Sequence, residues 1–411
     1  MRATSYNSPI VIAGKNRIAV QCAQYCMTRW PNLKLYILPS RSCKPKDDWQ
    51  PSLIAFAKFH KLPVIAKIED IYETKDLILF SCEYDRIIKV DRFCDALLYN
   101  IHFSYLPAYK GMYTSVLPIR RGESTTGVTL HVIDEGIDTG DIIDQATIAI
   151  LPTSTARSIY AEYIDVGIQM FKDNIDKILL RRDSQKPQAK VGSTYYSKSS
   201  IDYSDRELDL QQTAWQISCF ARSLIFREYQ LPLYKGREIS AINILDSKSS
   251  SRPGVVVSDT NYTLVASTID YDVEIVFDTL NNLFDEIKEI KQARFEEMLK
   301  FVQRIDERRQ EGWTLLMTAS YYCNCRAVEE LIRNGADVNA TNAKGTTVLM
   351  YAQSGWINSE RNNTSCLESL LKAGANPFAR DQSGRSMIDY LSQTDRAILV
   401  PLLERYCKLD D

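Results

Sequence analysis

The sequence predicts an α/β fold: a doubly wound, mostly parallel sheet, then a small antiparallel β subdomain and a C-terminal stack of α-helical repeats. Three observations predict it. Short apolar runs alternate with helix-length amphipathic segments over the first 200 residues, short strands split by a polar turn follow near residues 250–280, and the last hundred residues repeat themselves.

Pro9 to Ala13 reads as a buried strand closed by Gly14, and Ile18 to Met27 carries the apolar spacing of a helix. Leu33 to Leu38 is a second strand, Pro51 to His60 a second helix, Pro63-Val64-Ile65 a third strand and Leu77 to Ser81 a fourth. Strands separated by segments of this length imply parallel pairing with right-handed crossovers. Ligands of such sheets sit beyond the carboxyl ends of the strands, which points to residues just past Phe80 and Tyr99. The Gly14-Lys15-Asn16 turn lacks the glycine spacing of either phosphate-binding fingerprint and reads as a plain strand-to-helix turn.

Beyond Ser204 the composition changes. Glu207 to Phe226 is helical in pattern, and strands follow at Gly254–Val257, Tyr262–Ala266 and Val273–Phe277, the first two split by Ser258-Asp259-Thr260-Asn261. Phe295, Met298, Leu299 and Val302 then take helical spacing. The boundaries drawn are 1–203 for catalysis, 204–294 for a helix and β-hairpin subdomain, and 295–411 for the repeats.

Glu311-Gly312-Trp313-Thr314-Leu315-Leu316 recurs as Lys344-Gly345-Thr346-Thr347-Val348-Leu349 and more faintly at Ser383-Gly384-Arg385. Asn334-Gly335-Ala336-Asp337 recurs as Ala373-Gly374-Ala375-Asn376. The start and end motifs resemble those of the ankyrin repeat, with extra residues near Gly355 to Asn363 that lengthen one helix or loop.

The 411 residues suit two to three domains, and a net charge of −2 with 45% apolar residues excludes both a disordered chain and binding to nucleic acid through net positive charge. Ten scattered cysteines without a C-x-x-C pair read as reduced core thiols, which implies a cytoplasmic protein without a metal site. No run is long and apolar enough for a signal peptide or a membrane span. Imidazole chemistry has three candidates: His60, His102 and His131.

The densest motif runs from Tyr99 to Gly111, followed by Thr126 to Gly140. In an extended segment Asn100 and His102 share a face. An imidazole that accepts a proton, beside an amide that steadies a developing oxyanion, suits acyl transfer, and a carboxylate from the acidic loop can support the imidazole. A histidine satisfied within the core is the alternative for N-x-H alone. Asp134, Asp138, Asp141 and Asp144 do not have the spacing of a calcium loop.

The long form, N-x-H-x-S-x-L-P-x-Y-K-G over Asn100 to Gly111 followed by T-G-V-T-x-H and D-x-G, resembles the folate-dependent formyltransferase family over roughly residues 9–230. The resemblance implies 10-formyltetrahydrofolate as formyl donor and the catalytic trio Asn100, His102 and Asp138. Asn100 would hold the formyl oxygen, His102 would take the amine's proton, and Asp138 would orient His102. It implies donor contacts through the backbone at Phe80, Ser81, Cys82, Ile133 and Asp134, with His131 in a structural role.

Ile12 to Asn16, Ser81 to Ile88 and His102 to Pro107 look like the nucleotide-sugar N-formyltransferases, which implies a dTDP-linked amino-dideoxyhexose as acceptor, 3-amino favoured over 4-amino, in O-antigen synthesis. Glu83, Tyr84 and Lys110 are then expected near the sugar and diphosphate, and Tyr229 near the nucleotide. The β-rich part resembles the region through which such enzymes pair, implying a homodimer. A methionyl-tRNA substrate is disfavoured, because residues 1–300 and 301–411 each carry a net charge of −1. A catalytically dead ankyrin scaffold would be favoured by an altered trio, and all three residues are intact. A formyl-tetrahydrofolate hydrolase would carry an N-terminal regulatory domain. The repeats bind a protein, a regulatory ligand or the catalytic body; Trp313, expected to be exposed beside a turn, is the candidate for a second nucleotide-sugar site.

Overall fold

In the computed structural model, which describes residues 8–289, 292–309, 312–342, 344–361, 363–381 and 383–406, the sheet begins where the apolar runs predict it. Glu311 and Cys407 lie outside the described residues. In chain order the first elements are β1 (Ile10–Gly14), α1 (Asn16–Arg29), β2 (Leu35–Pro39), α2 (Leu53–Phe59), β3 (Leu77–Cys82), β4 (Ala96–His102), the two-residue β5 (Lys110–Gly111), α3 (Leu117–Arg120), β6 (Thr125–Val132), β7 (Ile142–Ala149) and α4 (Ala156–Leu179). The six-stranded sheet has the order β2-β1-β3-β4-β6-β7. Its first four strands are parallel, whereas β6 and β7 add an antiparallel hairpin.

Period-two alternation sends the strands' apolar side chains to both faces, as expected of a buried parallel sheet. Ile10, Ile12, Ile78, Phe80, Tyr99 and Ile101 join a core with α1 and α4 residues such as Ile18, Ile164 and Phe171. Val11, Ala13, Leu77, Leu79 and Leu98 turn the other way, onto Ile65, Ile68, Ile71 and Ile88. This second face is covered by irregular chain with short 3-10 turns at Ile68–Ile71 and Val90–Arg92.

Two expected elements differ. Pro63 to Ile65 is not a strand: Pro63 has no N–H, and the segment touches the sheet only where Ile37 N donates to Pro63 O and Ile65 N to Ile37 O. The helix expected over 207–226 starts only at Ala214, because Thr213 caps it by accepting from Gln216 N, while Glu207 pairs alongside Leu233.

Continuing along the chain come β8 (Tyr195–Tyr196), α5 (Ala214–Leu224), β9 (Leu233–Tyr234), β10 (Arg237–Ile244), β11 (Val256–Asp259), β12 (Thr263–Ser267) and β13 (Asp272–Phe277). β8 pairs with β5, and the others form a five-stranded sheet in the order β11-β12-β13-β10-β9. Two compact units result: the described residues up to 258 with 265–275, and 259–264 with those from 276 onward.

The second unit is helical: α6 (Leu280–Glu289), α7 (Gln292–Leu299), α8 (Leu315–Tyr321), α9 (Cys325–Arg333), α10 (Val348–Asn358), α11 (Ser365–Lys372) and α12 (Gln393–Tyr406). The recurring threonines have a capping job, since Thr314 accepts from Met317 N and Thr347 from Met350 N. Successive repeats are tied where Asn339 donates to Gly374 O and accepts from Asn376 N. The extra residues near Gly355 lengthen α10 to 11 residues against 7 in α8. Cys325 and Cys366 are joined as a disulfide between α9 and α11, which corrects the expectation of a wholly reduced set.

Candidate active site

Tyr99 and Ile101 face the core from β4, so alternation turns Asn100 and His102 to the opposite face at the carboxyl end of the strand. The chain then bends through Leu106-Pro107 and returns as β5, bringing the Tyr109 carbonyl 2.9 Å from His102 Nε2. A carbonyl only accepts, so Nε2 carries the hydrogen and a neutral His102 keeps its lone pair on Nδ1. That nitrogen stands 3.4 Å from Asp138 Oδ2. Burial lowers the pKa of His102, and the attraction of Asp138 only partly offsets it, so the imidazole is held neutral, as a base must be.

Asp138 reaches the site from the acidic loop between β6 and β7. Its Oδ2 accepts from Gly111 N at 2.9 Å and its Oδ1 from Asn100 Nδ2 at 3.2 Å. Gly111 has to be glycine for that contact: at φ +87° an added Cβ would stand 2.2 Å from Tyr196 O. Burial pushes the Asp138 carboxyl up, but His102, His131 and the Gly111 N–H outweigh it and hold the group well below the ordinary carboxylate range. His131 donates from Nδ1 to Val132 O at 2.8 Å, while its Nε2 stands 3.1 Å from Asn100 Nδ2 and 3.5 Å from Asp138 Oδ1. His131 thus orients the Asn100 amide from a fully buried position, while His60 lies away from the site, packed between Phe56 and Phe59.

The three groups open into a cavity of about 610 Å³ beyond the carboxyl ends of β3 and β4. Ser81, Glu83, Tyr84, Ile133 and Asp134 line it together with Asn100, His102 and Asp138. Phe80 and Cys82 do not: both side chains point into the core, Phe80 between Tyr99 and Phe171, and alternation leaves Ser81 as the member of the three on the wall. Lys110 stands beside the cavity on β5, near enough for its charge to act on His102. Exposed Ile87, Met112 and Ile137 give the cavity an apolar lip.

Glu83 sits at φ +60° just after β3. It accepts from Tyr160 OH at 2.9 Å and from Asn16 Nδ2 at 3.2 Å. Burial raises its pKa to about 7, despite those donors and the nearby Lys15. Asn16 also lines a second, smaller cavity of about 190 Å³, with Lys15, Lys44, Lys46, Trp49 and Tyr229 on its walls. The Gly14–Asn16 turn is therefore both a strand-to-helix turn and a wall of this cavity. Trp49 meets Tyr229 edge to face at 5.7 Å. Sequence reasoning missed Trp49 and its lysines, although Lys44-Pro45-Lys46-Asp47-Asp48-Trp49 sets cations beside an indole.

In the second unit Trp313 is half-buried rather than exposed. Its ring packs against Tyr351 of α10 at 4.3 Å and Tyr321, the last residue of α8, at 5.4 Å. Among the described residues, no group of three or more His, Cys, Asp or Glu could hold a metal ion, and no helix is long and apolar enough to cross a membrane.

The family described as formyl transferase matches residues 76–175, and ankyrin repeats, in three copies, match residues 287–381. The chain is 34% identical to a solved N-formyltransferase from Helicobacter canadensis in complex with folinic acid and dTDP-3-aminofucose, with a TM-score of 0.62, covering 66% of this chain and 100% of that one. A sugar 3N-formyl transferase solved with dTDP and 5-N-formyl-THF matches at the same identity and TM-score, over 66% of this chain and 98% of its own. The methionyl-tRNA formyltransferase of Francisella tularensis subsp. novicida is 30% identical over 168 residues, 40% of this chain and 51% of that protein. The chain thus spans about half the length of the curated relatives it matches.

Proposed function

Because this chain belongs to the formyltransferase family and carries ankyrin repeats, we propose that it formylates the amine of a dTDP-linked amino-dideoxyhexose. The donor is 10-formyltetrahydrofolate, the 3-amino sugar is favoured over the 4-amino, and the product serves O-antigen and lipopolysaccharide synthesis. The observation that carries the reading is the pair of cavities linked by the hydrogen bond from Asn16, on the smaller, to Glu83, on the larger. One holds the trio, and the other has three lysines for a diphosphate and an aromatic pair for a base.

The donor, when bound, supplies a formyl carbon open to attack by an amine. Its flat ring system suits the apolar lip of Ile87, Met112 and Ile137, and Ser81, Ile133 and Asp134 would hold it. His102 takes the proton of the attacking amine on Nδ1, the nitrogen left free by the Tyr109 carbonyl. Asp138 meets the resulting imidazolium with its charge, and His102 then gives the proton to the folate nitrogen as its bond to the formyl carbon breaks, so that tetrahydrofolate leaves neutral and His102 is restored. Asn100 turns an amide N–H from its internal partners toward the oxygen on which charge develops. Glu83, Tyr84 and Lys110 contact the sugar and diphosphate, while Tyr229 contacts the nucleotide.

Two copies pair through the small sheet, a reading supported by the exposed Ile244, Val255 and Val257 in this region. The Trp313 cluster is a second nucleotide-sugar site that regulates the enzyme, supported by three aromatic rings, Trp313, Tyr321 and Tyr351, packed together. The test offers dTDP-3-aminosugars, dTDP-4-aminosugars and methionyl-tRNA with 10-formyltetrahydrofolate and seeks the added formyl group by mass spectrometry. A gain on the 3-aminosugar is expected, and no gain on any aminosugar would refute the reading.

A further inference from the structure

We propose that Gln188 is the positioning residue for Asp138, its side-chain amide clamping the acidic loop from behind so that the carboxylate faces His102. The inference rests on the formyl-transfer reading only for its kinetic effect. After α4 the chain runs back along β7, where Ile142 and Lys186 exchange backbone hydrogen bonds of 2.8 and 2.9 Å. That pairing delivers Gln188, two residues on, to the loop that carries Asp138.

Gln188 Nε2 donates to Asp138 O at 2.9 Å and to Gly140 O at 2.8 Å, so both of its N–H groups go to this one stretch of backbone. The orientation is forced, because turning the amide over would set Oε1 against two carbonyl oxygens. In the orientation adopted, Oε1 is buried without a hydrogen-bond donor, a cost that an apolar side chain of the same length would avoid. The amide is therefore poorly explained by packing and well explained by the two carbonyls it holds.

What it holds is a left-handed turn. Asp138 has φ +54°, a conformation that Asp and Asn adopt more often than other non-glycine residues. Two residues later the loop passes so close to β6 that a Cβ on Gly140 would lie 1.9 Å from Val132 O. On the near side, Asp134 binds Gly136 N and Thr139 Oγ1 at 3.1 and 2.6 Å, which braces the loop before Asp138 but leaves the Asp138 and Gly140 carbonyls to another donor. Gln188 supplies it. Gln188 does not line the reaction cavity, so it acts on the chemistry only through Asp138.

The experiment uses the full chain with Gln188→Met, which keeps the reach and removes the N–H groups, and Gln188→Glu, which keeps the shape and sets oxygen against the carbonyls. Steady-state kinetics with an accepted aminosugar is joined to an NMR titration of ¹⁵N-histidine protein, in which only three imidazoles appear. The titratable and charged groups acting on His102 are Asp138, His131 and Lys110, and the substitutions alter only the setting of the first. In Gln188→Met, kcat is expected to fall roughly tenfold to a hundredfold, with KM for both substrates within about twofold. The His102 midpoint is expected to move down by about one unit as its imidazolium loses the facing carboxylate. Gln188→Glu loses more. Wild-type kcat and an unmoved His102 midpoint in both variants would overturn the assignment. Should wild-type protein formylate no aminosugar, the functional reading fails, while the His102 midpoint in Gln188→Met still decides the clamp: a downward move upholds it and none overturns it.

Discussion

Replacing Asp138 by Asn removes the carboxylate's charge together with one of its two acceptor oxygens. The left-handed backbone at φ +54° is one that Asn adopts as readily as Asp, so the loop keeps its path, and the amide oxygen can still accept from Gly111 N. What disappears is a negative charge 3.4 Å from His102 Nδ1 and, with the amide oxygen kept on Gly111 N, the acceptor for Asn100 Nδ2; the charge sets the larger loss. At an effective dielectric of about 20, a full imidazolium at that distance is stabilised by roughly 5 kcal/mol. The transition state carries between half and all of that charge, so the loss is about 2.5–5 kcal/mol, or roughly 10² to 10⁴ in kcat. The assay is steady-state turnover with donor and aminosugar both saturating, and KM should change little because Asp138 serves the proton rather than the binding. A variant within tenfold of wild-type kcat would refute the role given to Asp138.

Other predictions follow from the same geometry. Activity should have an acid limb with its midpoint below the ordinary imidazole value of about 6.5, since burial lowers His102 and only the neutral base works; a pH profile of kcat with a midpoint above that value counts against it. Glu83 has its pKa raised to about 7 by burial, so its stabilising share is present below the unfolded value of about 4.3 and is lost as pH rises through 7. Glu83→Gln should therefore gain in Tm relative to wild type between pH 5 and 8, while its KM for the aminosugar rises about tenfold; a Tm difference flat with pH is the contrary result. Trp313→Ala should reduce the calorimetric stoichiometry of dTDP-aminosugar on the full chain from two to one per protomer, and an unchanged stoichiometry would remove the second site.

The strands β1, β2 and β3 were legible because both faces are buried and each reads as a continuous apolar run. Pro63 to Ile65 has the same look, yet a segment without a donor at its first residue makes two bonds to the sheet and stops. The Asn100 and His102 pair was legible through alternation, and their meeting with Asp138 through the motif rather than through any local pattern. The Tyr109 carbonyl, the Gly111 N–H and Gln188 were not, since each contributes through backbone or through contacts 27 to 50 residues apart in sequence. The second cavity escaped because its walls come from three places far apart in sequence, the turn after β1, the loop before α2 and Tyr229.

The bond from Asn16 to Glu83 has a consequence for how ligands are felt by one another. Asn16 lines the smaller cavity and its amide holds Glu83, which lines the larger, so a ligand that strengthens or breaks that bond from one side alters the free energy of filling the other. Reciprocity then requires that the factor by which folate changes dTDP affinity equals the factor by which dTDP changes folate affinity. A measured factor different from one would make the order in which substrates arrive a property of this single side chain, and Asn16→Ala should return it to one.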